Sequence, residues 1–244
     1  ELSTQVTCAQ CLQLFDFPQG ELNFKETPWH FRVAGPYSVP DFAGGSYATV
    51  LALSTFSLRL GLGDERISYS TSLDLEFDGN RHEIDLAFWY QGGKLVGVQE
   101  EPLFAFGEAK SFAAEAFTGN DVGRLKALAT KLPGAFVVVA VLKDALSKTE
   151  RSHISRLALW GRVRAPDRRP RSPVIVLTGT EMFADYSVTQ AWKDRGGRHA
   201  SFAQGHSLSN LYNLADVTQQ LYLDLPSDHT WLVDRYRRRK RKPR

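Results

Sequence analysis

Asp85, Glu108 and Lys110 carry the side-chain types from which a metal-assisted site is built. In His82-Glu-Ile-Asp-Leu-Ala-Phe-Trp-Tyr90 polar and apolar residues alternate, so Ile84, Leu86 and Phe88 share one face of a strand while Glu83, Asp85 and Ala87 share the other. In Leu103-Phe-Ala-Phe-Gly-Glu-Ala-Lys-Ser-Phe112, Glu108 and Lys110 lie two apart and emerge together from an otherwise apolar strand. If the two strands are neighbours, Asp85 comes beside Glu108. Two converging carboxylates are hard oxygen donors suited to Mg²⁺, and a lysine next to them can hold an attacking water or the charge that develops on a phosphate. The plainer reading of Glu108 and Lys110 is an ion pair on a solvated sheet face, worth at most about 0.2–1 kcal/mol. The apolar run Leu103 to Phe106 favours the chemical reading, because a covered face makes a charge without a purpose costly. Glu83, on the face of Asp85, is either a further metal ligand or a solvated edge carboxylate.

The elements that must position these groups follow from periodicity. Tyr47 to Leu58 reads as a mostly buried helix, with a strand as the alternative. Ile67 to Phe77 alternates, Asp78-Gly79-Asn80 turns, and His82 to Tyr90 alternates again, a hairpin. Gly92-Gly93 turns the chain towards Leu95 to Val98, and Leu103 to Phe112 completes a three-stranded meander. Asn120 or Asp121 can cap a helix on which Leu125, Leu128, Ala129 and Leu132 form one stripe, and Gly134 ends it. Phe136 to Leu142 is apolar on both faces, as a central strand is. Ser147 and Glu150 have the spacing of a capping box, so a helix runs to about Trp160. Gly161 to Pro173, with Arg162, Arg164, Arg168, Arg169 and Arg171, reads as a solvated basic loop rather than a phosphate-facing one. Val174 to Leu177 is a buried strand, and Leu208, Leu211, Tyr212 and Ala215 mark a helix that ends near Pro226. The expected fold class is α/β, a mixed sheet flanked by helices.

An Asp followed 22 residues later by Gly107-Glu108-Ala109-Lys110, on the second and third strands of a helix, meander, helix, strand order, resembles the signature of the restriction-endonuclease-like PD-(D/E)xK nucleases. The resemblance covers roughly residues 46–180. It implies that Asp85 and Glu108 bind a divalent metal, Mg²⁺ or Mn²⁺, that the Ala109 carbonyl completes the metal shell, and that Lys110 positions or activates the attacking water. It also implies auxiliary polar residues on the following helix, for which Arg124 and Lys126 are the matching positions, although exposed helix charges are the commoner meaning of such residues. The chain lacks the Pro that often precedes the first Asp of this family. The implied activity is hydrolysis of phosphodiester bonds in nucleic acid, DNA being expected, in restriction, repair or bacterial defence. A catalytically inactive nucleic-acid-binding module on the same fold is the alternative.

The 244 residues are 43% hydrophobic and 23% charged, values that exclude bulk disorder and a disulfide-stapled miniprotein. The net charge is +3, yet Arg235 to Arg244 alone holds eight basic residues and no acidic one, which leaves −5 on the remainder. Arg235, Arg237, Arg238, Arg239, Lys240, Arg241 and Lys242 are therefore expected to capture a polyanion through phosphate contacts, with nuclear localisation or anionic lipid as other uses of such a tail. No run approaches the ~18 apolar residues of a membrane helix, and no secretory leader is visible, so a cytoplasmic protein without a membrane partner is expected. Cys8 and Cys11 can be half of a zinc site, a redox pair or unrelated thiols, since structural zinc wants four ligands and only two are local. Gly205 to Ser209 has the outline of a hydrolase elbow around Ser207, but it ends in Ser instead of Gly and fits a helix cap better. The expected organisation is an extended N-terminal leader over 1–45, packed on the main domain and carrying the zinc half-site, then a core over 46–180, a helical region over 181–228 and a basic tail over 229–244. A homodimer and membership of a larger multidomain protein are both compatible with this plan.

Overall fold

The alternation in the middle third of the chain is realised as strands, and the 3.6-residue periodicity around it as helices. A computed structural model describes residues 4–7, 14–17, 46–59, 66–77, 79–91, 102–111, 116–164, 170–203 and 210–228. The chain divides into two compact units, Glu1–Val39 and Pro40–Arg244. In the first, within the stretch read as irregular, β1 (Thr4–Thr7) and β2 (Leu14–Phe17) pair antiparallel, with Thr4 opposite Phe17 and Thr7 opposite Leu14. Their β-branched and aromatic content suits a short ladder, too short to register as a sustained alternation. Cys8 and Cys11 lie outside the described residues, as do Leu95–Val98, Arg168, Arg169, Ser207 and the tail over 229–244.

The second unit begins with α1 (Ser46–Ser54), which continues into a π-helical turn over Thr55–Arg59. Five strands follow in the spatial order β3 (Arg66–Phe77), β4 (Asn80–Gln91), β5 (Leu103–Lys110), β6 (Phe136–Val141) and β7 (Val174–Leu177). The first three pair antiparallel, and β5, β6 and β7 pair parallel. Parallel neighbours need crossover helices, which are α2 (Gly119–Lys131) between β5 and β6 and α3 (Lys148–Arg162) between β6 and β7. The fold is thus α/β, a mixed five-stranded sheet flanked by helices, in the element order that the sequence resemblance implies. Three short helices, α4 (Gly179–Met182), α5 (Val188–Arg195) and α6 (Gly197–Phe202), and the longer α7 (Leu211–Leu223) complete it.

Every residue of β6 and β7 is buried, as strands covered on both faces must be. On β4 the parity holds: Ile84, Leu86 and Phe88 are fully buried, and the Phe56 ring from the π turn sits 4.5 Å from Phe88. Leu86 faces Gly107 and Ala87 faces Phe106 across the β4–β5 ladder, so Asp85 and Ala87 share a face with Phe106, Glu108 and Lys110. Gly107 lets β5 and β6 meet closely, because a Cβ there would lie 2.1 Å from the Val138 carbonyl oxygen. This contact fixes the strand on which Glu108 and Lys110 ride.

Two boundaries differ from expectation. The cap of α2 is Thr118, whose hydroxyl accepts from Asp121 N–H, while Asp121 occupies the third helical position and its carboxylate accepts from Thr118 N–H at 2.7 Å. A reciprocal box outcompetes a lone Asn or Asp cap because it satisfies two end groups at once. The arginines expected to be solvated around 161–173 are turned onto the protein where they are described: Arg164 pairs with Asp228 at 3.0 Å, Arg162 donates to Gln219 at 2.6 Å, and Arg171 lies over the Trp160 ring.

The outer edge of β7 is closed by α7. Thr218 Oγ1 accepts from Val176 N–H at 3.2 Å and Gln219 Nε2 donates to the Val174 carbonyl at 2.7 Å, so two helix side chains finish a ladder that no strand continues among the described residues. The opposite edge, β3, carries Ser72 with a left-handed φ of 51°, across from Asp85 where the regular pairing skips a step. Among the described residues no helix is long and apolar enough to cross a membrane.

Candidate active site

Asp85 and Glu108 come from adjacent strands, β4 and β5, and the register brings them to the same face. Asp85 Oδ2 accepts from the Ala109 N–H at 2.7 Å. Successive carbonyls of a strand point to opposite sides, and a residue's N–H and C=O point to the same one. Since the Lys110 carbonyl faces β6, where it accepts from Leu142 N–H at 2.9 Å, the Ala109 carbonyl faces the Asp85 side. Lys110 Nζ bonds Glu108 Oε1 at 2.8 Å and lies 3.6 Å from Asp121 Oδ1. Arg124 Nη2 bridges Glu108 Oε1 and Asp121 Oδ1, each at 2.8 Å. Four charged side chains, Glu108, Lys110, Asp121 and Arg124, therefore form one connected cluster at the end of β5 and the start of α2, and Asp85 adjoins it through the Ala109 N–H.

Burial grades the cluster. The side chains of Glu108 and Asp121 are 7% and 8% exposed, Lys110 is 18% exposed and Arg124 is 43% exposed, so Arg124 forms the open rim. Burial pushes the Asp85 carboxyl up to about 6; the Ala109 N–H pulls the other way, and the charge of Glu108 adds to the rise. For Lys110 burial works against the ammonium, but the hydrogen bond and charge of Glu108, with Asp121 and Asp85 behind it, outweigh burial and raise its pKa. Burial likewise opposes the charged forms of Asp121 and Arg124; the bonds from Thr118 hold Asp121 below the ordinary carboxylate range, and the charge of Glu108 holds Arg124 above its own. The arrangement thus contains a carboxyl whose charge is incompletely compensated beside an ammonium that stays protonated at neutral pH.

Among the described residues no three His, Cys, Asp or Glu side chains are gathered as a metal cage. An ion here would rest on Asp85, Glu108, the Ala109 carbonyl and waters, the sparse protein coordination that Mg²⁺ accepts. The donor set fits, because among the described residues Asp85 accepts a single hydrogen bond, from the Ala109 N–H, and its raised pKa marks a carboxylate that a cation would stabilise.

The sequence-derived positions divide. Asp85, Glu108, Ala109, Lys110 and Arg124 meet. Glu83 is exposed on the same strand face and reaches Asp85 only as a weak repulsive charge. Lys126 points elsewhere, its Nζ lying 5.5 Å from the centre of the Trp160 ring on α3. Asp121 was legible as a helix-start residue, and Thr118-x-x-Asp121 has the spacing of a capping box. That its second oxygen serves Lys110 and Arg124 has no local signal, since it depends on α2 starting over the end of β5.

No family model matches the chain, and no curated protein matches it. Among solved structures, the restriction endonuclease MspJI in complex with a 27-mer oligonucleotide is similar at 15% identity, over 78% of this chain and 33% of that one, with a TM-score of 0.32. This chain spans about a third of that chain's length, and a likeness of this size leaves the reading of the site to its own residues.

Proposed function

We propose that this chain is a metal-dependent nuclease that hydrolyses phosphodiester bonds in nucleic acid, with DNA the expected substrate. The observation that supports it is the meeting of Asp85, Glu108 and Lys110 at one point of two neighbouring strands. Asp85, Glu108 and the Ala109 carbonyl would hold Mg²⁺ or Mn²⁺, which when bound would supply Lewis-acid stabilisation of the phosphate and a more acidic water. Lys110, kept protonated, does not act as a base; it donates to the attacking water or to a phosphate oxygen and fixes its line of approach. Arg124 would meet a non-bridging phosphate oxygen from the rim, with Asp121 anchoring its guanidinium. The test is incubation of linear and circular DNA with and without Mg²⁺ or Mn²⁺, beside Asp85→Ala and Lys110→Ala. Metal-dependent cleavage lost in both variants is expected, and undiminished cleavage in either one removes this site assignment.

A non-catalytic nucleic-acid-binding module is the second reading, favoured by one observation: Glu108 Oε1 already carries two cations, Lys110 and Arg124. Tight binding without cleavage in either metal selects it.

A further inference from the structure

The face that carries the charged cluster does not end there. Four residues beyond Asp85 on β4, about 13 Å along the strand, Trp89 stands 51% exposed on the same face. Its ring lies 4.9 Å from Phe104 of β5, and Phe104 lies 6.2 Å from the fully buried Phe106, so the indole is backed from below and open above. Ala87, between Asp85 and Trp89, is fully covered by its neighbours, so a strand joining the two positions would run over the side chains that cover it. Across the ladder Ser68 faces Trp89 and Ser70 faces Ala87, hydroxyls along one side of this track.

The other side is α2. It begins where Asp121 and Arg124 touch the end of β5, and the strand after it begins at Phe136 opposite Ala105, so the helix descends alongside the track from Asp85 towards Trp89. Arg124 and Lys131 fall seven residues apart on one exposed stripe of this helix, about 10.5 Å in rise. A basic wall beside a floor that ends in an open aromatic ring is the combination that tracks a single strand, phosphates on the cations and a base on the ring.

We infer that Trp89, backed by Phe104, is a nucleobase-stacking position a few nucleotides from the scissile phosphate, and that the strand entering from this side is unpaired single-stranded DNA. A duplex hides its base faces from such a ring. The inference rests on the nuclease reading for its choice of ligand and deepens it by naming the substrate form.

The test uses the full chain in EDTA, so that binding is read without cleavage, and a labelled oligothymidylate of about 20 nucleotides, longer than one such site needs, against a duplex of equal length. The single strand is expected to bind more tightly. Trp89→Ala is expected to weaken it roughly ten-fold or more, the loss of one stacked base, with duplex binding unchanged. Trp89→Phe, which keeps a ring and guards against a folding defect, is expected to retain affinity while losing the tryptophan quenching that binding produces. Duplex bound as tightly as single strand, or unchanged single-strand affinity in folded Trp89→Ala, overturns the inference. Cleavage in Mg²⁺ is scored separately. A chain that binds single strands through Trp89 but cuts nothing keeps the stacking position and loses the nuclease reading. Cleavage that depends on Lys110 with no dependence of binding on Trp89 does the reverse.

Discussion

Asp85 and Glu181 are both carboxyls raised above their ordinary pKa, first of all by burial, and they differ in almost everything else. Glu181 is fully buried and receives four donors: the Thr178 N–H at 2.8 Å, the Thr178 hydroxyl at 3.0 Å, the Trp192 indole N–H at 2.5 Å and the Tyr222 hydroxyl. Those donors come from the start of α4, from α5 and from α7, so the side chain ties three helices together and has nothing left to offer a ligand. Asp85 is half-buried, accepts from one donor, the Ala109 N–H, and has the Lys110 ammonium acting on it. Burial alone therefore does not mark a reactive group; unfilled coordination next to convergent charge does.

The sharpest way to break this contrast is to remove each carboxyl. Asp85→Ala and Lys110→Ala are expected to lower metal-dependent cleavage by at least about a hundred-fold while thermal unfolding shifts little. Glu181→Ala is expected to do the opposite. It strands several buried donors at about 1–3 kcal/mol each, so a total near 3 kcal/mol or more and a fall in Tm of roughly 6–12 °C follow, read by calorimetry. An unchanged Tm in Glu181→Ala would dissolve the distinction.

A pH series sharpens it next. With the Asp85 carboxyl at about 6 against an ordinary 3.8, the folded chain holds that proton longer than the unfolded chain does. Stability from this group is therefore highest below about pH 4, declines as the pH rises towards about 6, and is level above. Denaturant midpoints of metal-free protein are expected to show that decline, and Asp85→Asn to lack it. Because the ionised form is the one that holds a cation, cleavage is expected to climb through about pH 6. Glu150 supplies the counter-slope. Burial opposes its charge, but the Ser147 N–H, the Lys143 ammonium and the Phe117 N–H outweigh burial and take it down to about 2, so its contribution is lost as the pH falls from about 4.5 towards 2. Glu150→Gln is expected to flatten the acid limb alone.

The smallest expected effect separates two basic residues of one helix. Arg124→Gln is expected to reduce cleavage, whereas Lys126→Ala leaves cleavage unchanged and costs about 0.5–1 kcal/mol at most through the lost contact with Trp160.

What the sequence could reveal was governed by range. The face shared by Asp85 and Ala87, the pairing of Glu108 with Lys110 and the box at Ser147 are patterns of two to four residues, and strand and helix geometry convert them directly into positions. The parity argument survives because β4 keeps an unbroken register with β5. Asp121 reaches Lys110 across the connection from β5 into α2, and Trp192 and Tyr222 on Glu181 and the clasp of Thr218 on Val176 join residues 11 to 42 apart; no local period encodes any of them. The open ring of Trp89 belongs to the same class: alternation assigns it to a face, but its exposure depends on what the rest of the fold leaves uncovered.

The side-chain clasp of α7 on β7 also gives the sheet a direction of growth. With that edge finished by Thr218 and Gln219, the open edge of the five-stranded sheet among the described residues is β3. Asp74 and Glu76 charge that edge, and Ser72 interrupts its backbone rhythm in the middle. Among the described residues the guard on this edge thus lies beside Asp85, so a substitution that straightens β3 would open the edge to strand exchange next to the proposed site.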